Sequence, residues 1–140
     1  MNFNPEKLYD NLLYVQDLDY LANLTLPWDK FFGANILVSG ASGMLGSLLV
    51  DMLLRRNGRS NMQCRIYALG RSFEKLRWRF SHWHEHLGQT LLLIEHDINQ
   101  PLVFSDAPAR FDYVIHLASN THPVAYANDP VGTVLTNVYG

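Results

Sequence analysis

The chain has 140 residues, enough for one domain and short for two of ordinary size. It is 48% hydrophobic and 17% charged, so it can bury a core, and 11 Lys+Arg against 13 Asp+Glu leave a net charge of −2, which gives no electrostatic case for a nucleic-acid partner. No apolar run approaches the roughly 18–20 residues of a membrane span, nothing at the start reads as a secretory signal, and the single Cys64 excludes an intrachain disulfide; a soluble, cytoplasmic domain is expected.

In residues 1–33 the apolar positions Leu8, Leu12, Leu13, Val15, Leu18, Leu21 and Leu24 recur mostly at three- and four-residue spacing. This predicts a helical extension of one or two short helices, ending near Leu26-Pro27, where the proline disfavours helix before it. Such a segment either packs its apolar stripe on the main domain or docks a partner. Ile36-Leu37-Val38, bounded by Gly33 and Gly40, reads as a strand buried on both faces. Met44 to Arg56 predicts a helix with Leu45, Leu48, Leu49, Met52 and Leu53 on one face, basic Arg55 and Arg56 in the last turn, and Gly58 as a left-handed cap. A second strand is expected at Cys64–Leu69, a helix around Ser72–Phe80, a third strand at Leu91–Glu95 and a fourth at Tyr113–Ala118. Asn99 to Phe111, with Pro101, Asp106 and Pro108, reads as irregular connection. Strands alternating with helices predict an α/β fold, a Rossmann-like parallel sheet with helices on both faces, spanning residues 34–140 after the helical extension.

Gly40, Gly43 and Gly46 stand at G-x-x-G-x-x-G spacing directly after a strand and before an amphipathic helix. In a dinucleotide site the first glycine permits the tight turn, the second lets backbone approach a pyrophosphate, and the third lets the helix pack close to the strand. The N–H groups at the helix start, around Met44 and Leu45, and the positive end of the helix dipole then hold the phosphates. Ser42 adds a hydroxyl that can donate to a phosphate oxygen. The chain lacks the Gly-Lys-Ser/Thr ending of an NTPase phosphate loop.

The loop Ser39-Gly40-Ala41-Ser42-Gly43-Met44-Leu45-Gly46 resembles the T-G-x-x-G-x-x-G of the extended short-chain dehydrogenase/reductases, the NAD-dependent epimerase/dehydratase group, with serine replacing threonine. His96-Asp97-Ile98 is similar to that family's adenine-contacting pair, here Asp97 and Ile98. His116-Leu117-Ala118-Ser119 is similar to the H-x-A-A beside the cofactor, and Asn137-Val138-Tyr139-Gly140 to the N-V-x-G that opens a long helix. A finer resemblance, Pro123-Val124-Ala125-Tyr126 through Thr136-Asn137, points to the UDP-glucuronate decarboxylases and more loosely to the dTDP-glucose 4,6-dehydratases, and places Tyr126 at the substrate. The decarboxylases have a small-residue run where this chain has Ser119-Asn120-Thr121-His122. The resemblance implies a homodimeric enzyme that oxidises the C4 hydroxyl of a nucleotide sugar, allows decarboxylation, dehydration or epimerisation, and returns the hydride.

The cofactor is NAD or NADP. NAD-binding relatives carry an acidic residue at the end of the second strand, whereas this chain has Gly70-Arg71-Ser72 there. Arg71 and Ser72 favour a 2′-phosphate by charge-assisted bonding, while the resemblance favours NAD. His82, His84 and His86 alternate as in a strand, without a further ligand cluster, and read as surface connection rather than metal site. His116 reads as a hydrogen-bonded structural histidine, Cys64 as a small buried hydrophobe, and Arg77 and Arg79 around Trp78 as a solvated basic face. No tyrosine is followed four residues later by lysine, the catalytic pair the resemblance requires. The chain is therefore expected to be the N-terminal piece of a longer enzyme, truncated before that pair. By itself it is expected to be inactive and to bind dinucleotide weakly at best, with no catalytic residue and no metal of its own. The alternative is a non-catalytic NAD(P)-binding or regulatory module acting through a partner.

Overall fold

The structure is a computed structural model that describes residues 4–103, 108, 110–119 and 123–139. Asn120, Thr121, His122 and Gly140 of the quoted motifs, and Asp106 of the connection, lie outside the described residues. The elements in chain order are α1 (Glu6–Asp10), α2 (Leu12–Ala22), a 3-10 turn (Trp28–Phe31), β1 (Asn35–Ser39), α3 (Met44–Ser60), β2 (Arg65–Gly70), α4 (Phe73–Arg79), a second 3-10 turn (Ser81–His86), β3 (Leu91–Glu95), β4 (Tyr113–His116), α5 (Pro123–Asn128) and α6 (Pro130–Val138). The four strands form one parallel sheet in the order β3-β2-β1-β4. Ile36 pairs with Ile66 on one side and Tyr113 on the other, and Ile66 with Leu91. β1 is central because its Ile36, Leu37 and Val38 are apolar toward both faces and all at most 2% exposed.

One face of the sheet presents Ile36, Val38, Ile66, Ala68 and Leu91 to Val50, Leu53 and Leu54 of α3, Leu76 of α4, and Phe80 and Trp83 after it. On the opposite face Leu37, Tyr67 and Leu69 gather Leu92, Ile94, Ile98 and Phe111.

Several local expectations shift. The extension's second helix stops at Ala22, capped by Asn23, four residues before Leu26. Its stripe lands on α3 through Leu18 and Ala22, whereas Leu12 and Leu13 lie about 70% exposed rather than in the packed face (69% and 71%). In α3 the core face is Gly46, Val50, Leu53, Leu54 and Asn57, while Leu45 is exposed. The glycine loop decides this rotation: Gly46 has to lie under Gly40 and Ala41, and residues four, seven and eleven positions on then face the sheet. The helix also runs through Gly58 to Ser60, so the left-handed cap is Asn61 (φ +49°) and Arg59, not Arg55 or Arg56, stands in the last turn. Tertiary contacts carry it that far. Asn57 exchanges two hydrogen bonds with the Cys64 backbone, and Arg55 and Arg59 both reach Asp19 of α2 at 2.7 Å.

The largest departure is Arg79. It is no solvated cation but 5% exposed, paired at 2.6 Å with Asp51 of α3, which is fully buried. Trp83 Nε1 and the Tyr9 hydroxyl donate to Asp51 Oδ1 at 2.7 and 2.6 Å, and the Tyr14 hydroxyl donates to Oδ2. Arg79 in turn donates to both tyrosine oxygens, and His82 stacks on Tyr9 at 3.7 Å. Burial first, then the Asp51 carboxylate, push both phenols far above their ordinary value, so they stay protonated and serve as donors. Burial alone would lower the Arg79 pKa, but the Asp51 charge outweighs it and holds the guanidinium protonated. This knot fastens α1 and α2 to the α/β unit.

Candidate functional site

The strand order reverses at β1: β2 and β3 extend the sheet to one side, β4 to the other. A crevice opens outside the strand ends at such a switch point. A cleft of about 380 Å³ is found there, between the loop after β1, the end of β2, the residues after β3 and the residues after β4.

The glycine loop shapes its floor. Gly40 takes φ +65°, and a Cβ there would sit 2.7 Å from the Leu117 carbonyl and the Ala118 nitrogen. A Cβ on Gly46 would collide with the Gly40 carbonyl oxygen. Gly43 is the N-cap of α3 and has no side chain to cap it, so the first-turn N–H groups of Met44, Leu45 and Gly46 face the cleft without a side-chain acceptor. Glycine at these positions keeps the cradle open for a ligand's phosphates, and the donors at the head of a 17-residue helix suit an anion. The residues present therefore fit a dinucleotide pyrophosphate.

Ser39, 1% exposed, organises the wall after β4. Its Oγ accepts from the Leu117 and Ala118 nitrogens at 3.2 and 3.3 Å and lies 2.8 Å from His116 Nδ1. With two N–H groups donating to Oγ, its own proton is left to donate to Nδ1, which assigns the remaining ring proton to Nε2. His116 is thus hydrogen-bonded, as its place in an apolar strand predicts. On the opposite wall Asp97 Oδ1 accepts from the Asn99 backbone and side chain at 3.1 and 3.0 Å. Those bonds, with the charge of Arg71, hold its carboxyl below the usual carboxylate range, so it is ionised at neutral pH.

The cleft brings together Gly40, Ser42, Gly43, Met44, Leu45, Gly46, Arg71, Asp97, Ile98, Leu117, Ala118 and Ser119. Three expected residues do not line it. Ser72 is the N-cap of α4, its Oγ accepting from the Lys75 nitrogen. Asn137 turns back to donate to the Thr133 carbonyl of its own helix. Tyr126 lies on α5, 45% exposed. The lining also holds Leu69, Gly70, His96, Asn99 and Thr136, of which Gly70, His96 and Thr136 stand in the quoted motifs without having been named as site residues. Thr136 donates to Asn99 Oδ1 at 3.1 Å and so ties α6 to the Asp97 loop. Its presence in the quoted Thr136-Asn137 pair was the only available signal.

A model of the NAD-dependent epimerase/dehydratase family matches residues 36–140, from β1 to the last residue. The chain belongs to that family. Among relatives, it is 34% identical over 117 residues to UDP-glucuronic acid decarboxylase 6 of Arabidopsis thaliana, covering 79% of this chain and 29% of that one. It is 30% identical over 130 residues to UDP-glucuronic acid decarboxylase 1 of Xenopus tropicalis, covering 90% of this chain and 28% of that one. The chain thus spans less than a third of the length of these relatives. The X-ray structure of Pen from Bacillus thuringiensis superposes with a TM-score of 0.59 at 19% identity, over 78% of this chain and 31% of that one, which shows a shared fold. The epimerase/dehydratase membership accounts for the parallel sheet and the place of the cleft. Among the described residues no helix is long and apolar enough to cross a membrane.

Proposed function

We propose that this chain is the nicotinamide-dinucleotide-binding part of an enzyme that modifies a nucleotide sugar, with residues 34–140 as the binding unit and residues 1–33 as a helical extension. The observation that carries the proposal is the cradle of Gly40 to Gly46 against the uncapped head of α3, at the switch point of a parallel sheet. The decarboxylase relatives support the substrate class, a UDP-sugar acid. When bound in the whole enzyme, the nicotinamide of NAD or NADP would supply hydride acceptance and return at the sugar. This chain's residues bind and orient. The N–H groups of Met44, Leu45 and Gly46 hold the pyrophosphate, Ser42 donates to it, and Asp97 with Ile98 receives the adenine. Leu117 and Ala118, held by Ser39, form with Ser119 the wall beside the nicotinamide. Asn137 and Tyr126 would reach cofactor and substrate only with neighbours beyond those described. The general acid/base tyrosine and its lysine partner are not in this sequence, so the chain by itself carries no turnover, and pairing of two copies belongs to the whole enzyme.

The test is calorimetry of the chain with NAD and NADP, beside an assay of nicotinamide reduction with UDP-glucuronate. Saturable dinucleotide binding without turnover is expected. Absence of binding to both dinucleotides refutes the proposal, and turnover by this chain refutes the placement of the catalytic pair.

A further inference from the structure

On the cleft wall after β3 the chain forms a braced turn. The His96 nitrogen donates to the Gly70 carbonyl at the end of β2, and the Gln100 nitrogen to the Asp97 carbonyl, both at 2.9 Å. Within this turn the bonds to the Asp97 carboxylate all go to Oδ1, from the Asn99 nitrogen at 3.1 Å and from Asn99 Nδ2 at 3.0 Å. Oδ2 takes no hydrogen bond among the described residues, and Asp97 lines the cleft. The amide of Asn99 is fixed in turn. With Nδ2 given to the carboxylate, its Oδ1 is the acceptor, and the Thr136 hydroxyl donates to it at 3.1 Å across 37 residues of chain. Thr136 stands on α6, 8% exposed, and its hydroxyl proton is shared with the Gly132 carbonyl one turn back at 2.9 Å. Asp97 and Asn99 are themselves exposed, so packing does little to hold their side chains and the relay from α6 does more.

Resting on the dinucleotide reading above, we infer that Asn99 and Thr136 are positioning residues for the purine base: through them α6 fixes which oxygen of Asp97 meets the base, and so selects a 6-aminopurine over a 6-oxopurine. An ionised carboxylate only accepts, so on the edge of a purine it pairs with an N–H and is repelled by a carbonyl oxygen. Adenine offers an exocyclic amino group. Hypoxanthine has a carbonyl at that place, and its nearest N–H lies on the ring. A carboxylate pinned through Oδ1 presents Oδ2 in one place and does not follow the donor to the ring position. Unpinned, it rotates about its side-chain torsions and pairs with either base. Discrimination of this kind comes from what the wrong base must endure, an acceptor set against an acceptor, as much as from the contact the right base makes. The Asp97 turn supplies the acceptor, and its aim comes from α6.

The probes are NAD and NADP, each beside its hypoxanthine counterpart, titrated by calorimetry into the chain and its variants. The native chain is expected to bind the adenine form about tenfold tighter or more, the size of one charge-assisted contact. Asn99→Ala and Thr136→Val should each cut that ratio severalfold, and Thr136→Ser, which keeps the hydroxyl, should retain it. A merely structural role would weaken both forms alike and leave the ratio where it was. Thermal melts of each variant check the fold, and because Asn99 is exposed, Asn99→Ala remains a test where Thr136→Val fails to fold. A ratio unchanged by Asn99→Ala, or by a folded Thr136→Val, overturns the inference. Equal affinity of the native chain for the two bases likewise overturns it while the dinucleotide reading stands. Failure of both NAD and NADP to bind overturns that reading and the inference together.

Discussion

Replacing Arg79 by alanine should be among the most damaging single changes available in this chain. Arg79 is 5% exposed and Asp51 fully buried, so the substitution strands a carboxylate in the interior and removes the donors to Asp51, Tyr9 and Tyr14 together. Breaking a buried pair in this way costs about 3–5 kcal/mol, against a total stability of roughly 7–20 kcal/mol for a chain of this size. With an unfolding entropy of about 2 cal/mol/K per residue, the melting temperature should fall by about 10–17 °C. Thermal melts followed by far-ultraviolet circular dichroism measure the shift. Trp83 fluorescence reports the knot itself, because the indole donates to Asp51. Limited proteolysis should then cut first within residues 4–27, which the knot fastens to α3 and α4. The contrasting change is Asp19→Ala, which removes the pairs to Arg55 and Arg59 where all three side chains are about one-third exposed. Such a site is worth about 0–1 kcal/mol. A drop of less than about 3 °C for R79A, or one no larger than for D19A, would refute the assignment of the knot as the anchor of the extension.

Gly46→Ala places a methyl group against the Gly40 carbonyl, so the loop has to open; dinucleotide affinity should fall by more than about tenfold in calorimetry, with about 1–3 kcal/mol lost from stability. Ser39→Ala removes the acceptor shared by the Leu117 and Ala118 nitrogens and the partner of His116, and chemical denaturation should show a loss of about 1–3 kcal/mol. Burial pushes the Cys64 thiol from 9.0 up to about 11, so a disulfide reagent should label it at pH 8 only under unfolding conditions. Because its folded pKa is the higher one, the advantage of the neutral thiol is complete below pH 9 and is lost as pH rises through 11; the melting-temperature difference between the native chain and Cys64→Ala should narrow across that window.

Local chemistry settled the strands and much of the glycine loop in advance. A three-residue apolar run such as Ile36–Val38 has few ways to hide both its faces, and β3 falls on its expected residues, Leu91–Glu95. The demand on Gly43 and Gly46, set by Gly40 and Ala41, is met within seven residues of chain, so that part of the loop was legible without knowing that Leu117 and Ala118 lie against Gly40. Twelve of the proposed site residues meet in one cleft because each directly follows or flanks a strand end, where sheet topology gathers them. Arg79 and the face and length of α3 departed from expectation because their partners lie outside the local repeat, most of them far away in sequence. Arg79 looked like a solvated cation because a charge enters a core only when an opposite charge waits there, and Asp51 stands 28 residues earlier on another helix. The face of α3 turned on the contact of Gly46 with Gly40, and its length on Asp19 and Cys64, none of which enters a helical repeat. Ser72 became a cap and Asn137 folded onto Thr133, since a short polar side chain takes the nearest backbone partner that the finished geometry offers. Pattern fixes what a residue can do within a turn or a strand; which partner meets it across 28 or 77 residues of chain was decided only when the sheet closed and brought Arg79 to Asp51 and His116 to Ser39.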